Sequence, residues 1–581
     1  MDYELPTDFD IIIVGTGMVE SIVSAAASRI GKTVLHIDRN DYYGGLFASF
    51  NMESFINLSD NNVSEGGLVD INLVNENENI IQLGNSVYKI KNIKHTWHIP
   101  DEIKYQENQD NKTNREIIEK VPEESDGKIK EPETEHQDVK VWFKEHLLKE
   151  SRKFNIDLNP KVQYARGNFI ELLISSNIAR YSEYRNVNKV LTWLNDHLEV
   201  VPCSRSDIFA NNKVSVIEKR MMMKFLTSLE DNVEQLKEYE TKSYKSFLSD
   251  HKLSKNLIHY ILYAISNSDD NTLCPVGIQN TKMFLKSLGR FGKTPFLYSM
   301  FGSGDLPQEF CRLSAVFGTI YALGQPLHGL SIDNNKFKSL FVGKQRIQAK
   351  HIVMGLDQAP EKFVENLKTT YISRAVLVTN KSIMNNESNL LTLLLYPPEN
   401  GKNKCTIIEL PYLSSCCPKD TYLVHITCDQ ISTPEDDLKQ CIENLFTFNK
   451  DENKPQILFS TYFSLPTNEV NEDLRKNLAN IDNLFLCPGP DCSLDYDLAV
   501  GKAKEIFMTI YPDAEFLPRA PDPEEIKFEG DDENNESDDL LSKTDSNEAD
   551  AEDGGETNEV QTQKKLFTET DGFKEDIKQS N

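Results

Sequence analysis

The first apolar run of the chain leads directly into a glycine-rich turn. Residues 9–14 are mostly apolar and β-branched, as in a buried strand. Residues 21–29 after the turn have a helical composition, and a second apolar run over residues 33–37 ends in Asp38. The order strand, glycine turn, helix, strand and acidic residue predicts a Rossmann-type βαβ unit.

Alternating segments follow at residues 71–74 and 80–83, and residues 168–179 carry apolar positions at helical spacing. The chain after Thr294 mixes the two patterns, and residues 499–511 are predicted to form a last helix. The strand candidates of this second half lie at residues 375–378, 391–395, 406–408, 422–427 and 484–486. Alternating strands and helices predict an α/β protein.

Residues 205–290 interrupt this mixture with a helical pattern that is poor in β-branched runs. We therefore predict a smaller all-α domain inserted into a large domain of mixed sheets and helices. Two polar segments are predicted to be disordered. The predicted large domain comprises residues 1–100, 141–204 and 291–525, and the predicted helical domain comprises residues 205–290. The acidic insertion covers residues 101–140, and the acidic tail covers residues 526–581.

The net charge of −28 lies mainly in those two polar segments. Residues 531–556 contain 12 acidic residues and one lysine, and residues 101–140 contain 13 acidic and 7 basic residues. Both are poor in aromatic residues, so they bury too little apolar area to offset chain entropy. They serve either as solvated segments or as acidic partner-binding segments.

Composition also excludes several classes of protein. The basic clusters that phosphate binding requires are missing, so nucleic acid is not expected as a partner. Apolar runs stay well short of the roughly 20 residues of a membrane span, and the N-terminus lacks the pattern of a signal peptide. The 10 cysteines show no metal-ligand spacing, which predicts reduced thiols in a cytosolic protein without a metal site.

The glycine turn departs from the dinucleotide-binding fingerprint at one position. Gly15 and Gly17 occupy the first two glycine positions, but Glu20 stands where the third glycine belongs. The diphosphate of FAD or NAD would sit at the N-terminus of the following helix, where Glu20 places a negative charge. We expect an FAD-binding-like architecture with a non-functional FAD site, although Asp38 still stands at the ribose-binding position.

Three further segments carry a family resemblance. Residues 34–45 end in Tyr42-Tyr43-Gly44-Gly45, residues 157–161 precede Arg180-Tyr181, and residues 302–318 contain a Leu-Pro-Gln segment followed by Arg312. In this order they resemble the superfamily of Rab GDP-dissociation inhibitors and Rab escort proteins. The acidic insertion, the acidic tail, residues 281–290 and residues 487–492 are more similar to the escort branch.

The resemblance implies a non-catalytic protein that binds Rab GTPases in the GDP form, both unprenylated and prenylated. It also implies presentation of their C-terminal cysteines to the Rab geranylgeranyltransferase α/β heterodimer. The implied Rab-binding platform consists of Tyr43, Asp305, Gln308 and Arg312. Asp305 replaces an expected glutamate, and an internal Asp305–Arg312 pair is the structural alternative.

Two further sites follow from the resemblance. Phe284 and Arg290 are candidates for docking the transferase on the helical domain. The geranylgeranyl lipid on the GTPase needs an apolar slot, since each buried CH₂ contributes about 0.8 kcal/mol. Candidates for this slot are Met222, Phe225, Leu226 and Ile261. Ordinary core packing would explain the same methionine-rich and leucine-rich pattern.

Two other functions remain open at the level of sequence. A recycling Rab GDP-dissociation inhibitor would share the same platform and would extract prenylated Rab from membranes. A flavin-dependent oxidoreductase would use the βαβ unit, but Glu20 and the missing catalytic constellation oppose it. We predict an escort protein that works in the cytosol, makes transient membrane contact when it delivers the GTPase, and holds no cofactor.

Overall fold

The computed structural model describes residues 4–58, 67–101, 142–203, 207, 215–231 and 235–519. Within these ranges, positions 85, 87, 365–366, 368, 385–388, 450–452 and 469–480 are not described. The predicted insertion beyond residue 101 and the predicted tail at 526–581 lie outside the described residues.

The described secondary structure alternates strands and helices along most of the chain. The strands are β1 (Asp8–Val14), β2 (Val34–Ile37), β3 (Ser49–Phe50), β4 (Asn79–Gln82), β5 (Lys91–Trp97), β6 (Ile156–Asp157), β7 (Gln163–Tyr164), β8 (Tyr184–Asn186), β9 (Lys189–Leu194), β10 (His197–Val200), β11 (Phe296–Ser299), β12 (Ile320–Ala322), β13 (Leu327–Asp333), β14 (Lys336–Val342), β15 (Gln345–Gly355), β16 (Thr370–Thr379), β17 (Thr392–Tyr396), β18 (Cys405–Pro411), β19 (Tyr422–Asp429), β20 (Ile457–Thr467) and β21 (Leu484–Cys487). The α-helices are α1 (Met18–Arg29), α2 (Met52–Ile56), α3 (Lys144–Lys149), α4 (Asn168–Ser175), α5 (Val216–Asp231), α6 (Tyr244–Asp250), α7 (Lys255–His259), α8 (Cys274–Ser287), α9 (Asp305–Val316), α10 (Glu361–Val364), α11 (Pro434–Leu445) and α12 (Asp497–Ile510).

The first sheet contains the predicted βαβ unit. Its strand order is β12-β2-β1-β15-β14-β13-β4, and β21 also pairs with β15. Strand β1 runs parallel to both β2 and β15. Ile11 and Ile13 of β1 pack on the face that α1 covers, whereas Ile12 and Val14 pack on the opposite face. This alternation explains why the run is apolar at nearly every position: both faces of the sheet are buried.

The second sheet carries the helical region. Its order is β10-β9-β17-β18-β19-β16-β20-β5, and it is mostly antiparallel. All described elements from residue 215 to 287 are helices, and one of them is a π-helix at Tyr260–Ile265. These helices share one hydrophobic core with the second sheet. His259 Nε2 lies 3.0 Å from Thr192 Oγ1 of β9 and links the two parts.

The predicted fold class is confirmed, and the strand candidates at 375–378, 391–395, 406–408, 422–427 and 484–486 all fall on observed strands apart from terminal residues. The alternating segment at 80–83 overlaps β4, but residues 71–74 do not form a strand. There the Asp70 side chain accepts a hydrogen bond of 2.9 Å from Asn72 N and starts a single 3₁₀ turn. Such a local side-chain bond competes with strand pairing.

Candidate partner-binding surface

Helix α9 is held in place at its N-terminus by one buried carboxylate. Asp157 of β6 is fully buried and accepts hydrogen bonds from Tyr298 Oη at 2.7 Å and from both N and Oγ of Ser303 at 2.9 Å. It also accepts bonds from Gly304 N at 3.2 Å and from Ser49 Oγ. Negative charge at a helix N-terminus is favourable, so Asp157 fixes where α9 begins.

The turn before α9 requires glycine. Gly302 has a φ of +100°, and a Cβ placed on it would lie 2.6 Å from Asp157 Oδ1. Other residues would be strained in this backbone region and would also press against the carboxylate. The Gly302-Ser303-Gly304 segment of the sequence motif is therefore explained by close contact with Asp157.

One face of α9 is buried against α1. Leu306, Phe310 and Leu313 are at most 4% exposed, and Ser314 Oγ lies 2.8 Å from Ser24 Oγ of α1. The opposite face presents Gln308 and Arg312, which are four residues apart and exposed. This amphipathic pattern aims two of the predicted platform residues outward from a rigid support.

The four predicted platform residues line one surface groove. Its volume is about 390 Å³, and its walls include Tyr43, Asp305, Gln308 and Arg312. Tyr43 is half-buried and makes an edge contact with Tyr321, with the ring centroids 5.9 Å apart. The segment after β2 and helix α9 are far apart in sequence, so the fold brings together the two parts of the predicted platform.

Asp305 and Arg312 lie on the same helix but do not form a close pair. Seven residues correspond to about 10 Å along a helix, and none of the ion pairs within 4.0 Å in the described part of the chain joins them. Burial raises the pKa of Asp305, and the positive charge of Arg312 counteracts this increase. The guanidinium of Arg312 thus stays exposed at the groove.

The structure adds residues that the sequence reasoning missed. Tyr181, Glu309, Cys311, Ala315 and Tyr321 also line the groove. Ala315 lies three residues after Arg312, a spacing that places both on one helix face and could have identified it. Glu309 is buried, accepts a hydrogen bond from Ser182 Oγ, and has its pKa raised to about 8 by that burial. Its position could not be inferred from spacing alone.

The glycine turn lies directly behind this groove. Gly44 N donates a hydrogen bond of 2.9 Å to Thr16 Oγ1, and Thr16 Oγ1 donates one of 2.7 Å to Asp38. Thr16 N, Asn40 N and Gln358 Nε2 also donate to the Asp38 carboxylate at 2.8–3.1 Å. Groups of the protein itself therefore occupy the oxygens that a ribose hydroxyl would use.

Glu20 fills the space beside the glycines. It is 2% exposed, and a Cβ placed on Gly17 would lie 2.7 Å from its Oε2 atom, which has no hydrogen-bond partner among the described residues. Burial raises the pKa of Glu20 well above its ordinary value, and the carboxylates of Asp357 and Asp38 raise it further. A diphosphate at Gly15 and Gly17 would meet the Glu20 carboxyl group, so this side chain does not fit such a group.

The predicted transferase-docking residues do not present a free surface. Phe284 is 1% exposed and packs against Phe296 at 5.9 Å between ring centroids. Arg290 donates to Ala165 O at 2.7 Å and pairs with Glu171. Phe284 and Arg290 stay candidates for docking the transferase, and in this conformation the Phe284 ring fills the core below α8.

The predicted lipid-slot residues lie together in the core of the helical region. Met222, Phe225, Leu226 and Ile261 are at most 7% exposed and belong to one hydrophobic cluster. A groove of about 500 Å³ opens elsewhere on this region, and Cys274, Ile278 and Met283 contribute to its apolar lining. The four residues are thus placed as core residues in this conformation.

Within the described ranges, no group of three or more His, Cys, Asp or Glu side chains is arranged to hold a metal ion. Among the helices described, none combines the length and apolar character needed to cross a membrane.

Comparison with known proteins identifies the family. The family model described as GDP dissociation inhibitor matches residues 1–67 and 137–474. The chain belongs to the GDP dissociation inhibitor family. The resemblance of the three sequence segments is thereby confirmed.

Relatives of this chain are named component A of Rab geranylgeranyltransferase or Rab escort protein. A mouse protein, Rab proteins geranylgeranyltransferase component A 2, is 33% identical over 91% of this chain and 100% of its own length. The Drosophila melanogaster protein Rab proteins geranylgeranyltransferase component A is 34% identical over 91% of this chain and 93% of its own. Rab escort protein 1 of Arabidopsis thaliana is 26% identical over 90% of this chain and 95% of its own length.

A solved structure of the family has the same fold. The Rab GDI of Plasmodium falciparum superposes with a TM-score of 0.57 at 17% identity, over 89% of this chain and 100% of that chain. The GDP dissociation inhibitor fold thus extends across both sheets and the helical region.

Proposed function

We propose that this chain is a Rab escort protein, which binds a newly made GDP-bound Rab GTPase and presents it to Rab geranylgeranyltransferase. One observation carries the proposal: Tyr43, Asp305, Gln308 and Arg312 line a single exposed groove in a chain whose relatives bear the component A name. Tyrosine and arginine are both enriched among the residues that dominate protein interfaces.

The mechanism is positional. Helix α9 is fixed by Asp157 and by its packing on α1, so the groove offers a preformed surface to the body of the GTPase. While the GTPase body is bound there, its flexible C-terminal tail stays close to the transferase active site. Tethering of this kind raises the effective concentration of a tail that has few recognition features of its own. A preference for GDP would reflect the switch segments, which differ with the γ-phosphate.

The chain itself acts as an accessory subunit in this proposal. The component A names of the relatives support that role. The transferase α/β heterodimer supplies the chemistry, and this chain then shields the geranylgeranyl lipid in the helical region until delivery to a membrane. Met222, Phe225, Leu226 and Ile261 stay candidates for the slot, which would have to form by separation of helices because these residues are buried. The cytosol is the compartment we propose.

A prenylation assay tests the proposed function. Purified Rab geranylgeranyltransferase, geranylgeranyl diphosphate and a GDP-bound Rab are incubated with and without this protein. We expect lipid transfer to the Rab only in its presence. If transfer fails while the protein still extracts prenylated Rab from membranes, it is a recycling GDP-dissociation inhibitor. If it neither supports transfer nor binds Rab, both forms of the proposal are wrong.

We also propose that the βαβ unit holds no flavin. The buried Glu20 supports this, because its side chain fills the space beside Gly17 that a diphosphate would need and, in the ionised form, would repel it. Protein purified from cells, or incubated with excess FAD and desalted, should show no flavin absorbance. A yellow protein would contradict the proposal.

Glu20→Gln should stabilise the protein by an amount that increases with pH. The folded pKa of Glu20 is raised, so the unfolded chain loses its proton first and the folded state becomes less stable as pH rises above about 4.5. The gain is limited to about 1.4 kcal/mol per pH unit. Urea unfolding at pH 5.5 and pH 8 measures it, with exposed Glu361→Gln as the control. If the Glu20→Gln variant and the unmodified chain differ in unfolding free energy by the same amount at both pH values, this account is wrong.

A further inference from the structure

The chain leaves the folded body beside the proposed GTPase-binding groove. Arg29 Nε donates a hydrogen bond of 3.0 Å to the carbonyl oxygen of Pro518. The same guanidinium lies over the Phe317 ring at 4.7 Å from its centroid. Phe317 directly follows helix α9, and the last described residue is 519. Residues 520–581 therefore begin next to the C-terminal end of α9.

The surface at this exit point carries apolar side chains and more than one exposed arginine, since Arg180, Arg312 and Arg519 are all exposed. Val316 is 70% exposed, Phe317 36% and Tyr181 49%. Arg312 lies about one helical turn before Val316 and is exposed at the groove. Tyr181 lines the groove and also interacts electrostatically with Arg29. The exit point and the groove therefore belong to one continuous surface.

The sequence beyond this point complements that surface. Residues 531–556 carry 12 acidic residues and one lysine, and Leu540 and Leu541 interrupt the acidic run directly after Asp538 and Asp539. Acidic side chains fit Arg312, and two leucines fit the exposed Val316 and Phe317. About 20 residues separate Arg519 from Asp539, and a stretch of that many residues can span at most roughly 70 Å. The tether is long enough to reach the groove.

We propose that the acidic segment 531–556 folds back onto the groove of the same molecule and competes with the GTPase. This inference rests on the proposed function. A segment tethered at this distance has an effective concentration in the millimolar range, so even a weak contact occupies the groove for a substantial part of the time. The tail would then favour release of the GTPase and would reject weakly bound partners.

The test compares three full-length proteins in their binding to one GDP-bound Rab. The first is the unmodified chain. In the second, the 12 acidic residues of 531–556 are replaced by Asn or Gln, and in the third, 12 of the 13 acidic residues of 101–140 are replaced in the same way. We expect the second to bind the Rab about three- to tenfold more tightly than the first, and the third to match the first. The gain should disappear at 1 M salt, where the Debye length is about 3 Å.

A synthetic peptide of residues 531–556 identifies the occupied surface. We expect it to bind the tail-neutralised protein and to lose that binding after Arg312→Ala or after Leu540→Ser with Leu541→Ser in the peptide. Equal Rab affinity of the first and second proteins would overturn the inference and leave the proposed function intact. Tighter binding by the unmodified chain would also overturn it, as would a tail effect that depends on protein concentration. If none of the three binds Rab, the proposed function itself fails.

Discussion

Arg312→Ala will weaken binding of a GDP-bound Rab by about 30- to 100-fold and leave the fold intact. A central interface arginine is typically worth at least about 2 kcal/mol on truncation. Arg312 is exposed, lines the groove, and makes none of the side-chain hydrogen bonds or ion pairs found among the described residues. Alanine also has the highest helix propensity, so α9 should not be weakened.

The measurement is a titration of labelled GDP-bound Rab, together with thermal unfolding of each variant. Arg220→Ala is the matched control, because Arg220 is an exposed arginine on another helix, α5, in the helical region. It should reproduce the affinity of the unmodified chain. An Arg312→Ala protein that keeps its affinity would show that the groove is not the GTPase-binding surface. A large loss of thermal stability would instead give Arg312 a structural role.

The sequence was most informative where one local pattern determines one local structure. The run at 9–14, the glycine turn and Asp38 predicted the βαβ unit because strand burial and turn geometry depend on neighbouring residues. The platform residues on α9, by contrast, came only from the family resemblance, and the structure supplied the helix that carries them. The apolar character of Phe284 fits both a core residue and a surface anchor, and only the tertiary structure shows that its ring packs on Phe296.

Contacts between distant segments were beyond the reach of pattern reasoning. The segment 157–161 carries only a family resemblance in the sequence, and nothing in its composition shows that Asp157 binds Ser303, which lies 146 residues later and just before α9. The places of Glu309 and Tyr181 in the groove were not predicted for the same reason. A residue's role in such a site depends on which segments the tertiary fold places beside it, and helical or strand periodicity carries no information about that.

Asp157→Asn should destabilise the protein by about 3–5 kcal/mol, the cost of breaking a buried charged network. The carboxylate accepts bonds from Ser303, Gly304 and Tyr298, and an amide NH₂ at either oxygen position would face one of these donors. The change also removes a negative charge near the buried Arg374, whose pKa is already lowered to about 10 by burial. Denaturant unfolding gives the magnitude.

The same substitution should weaken Rab binding beyond what unfolding explains. If Asp157 sets the start of α9, its loss lets the helix shift, and Gln308 and Arg312 move relative to Tyr43. We expect at least a tenfold weaker affinity for Rab, measured at a temperature where the variant is fully folded. Glu409→Gln is the matched control, because Glu409 is a buried carboxylate of the second sheet bonded to Ser382 and Ile383 N. It should lower stability without changing affinity, and equal affinities for both folded variants would contradict the positioning role of Asp157.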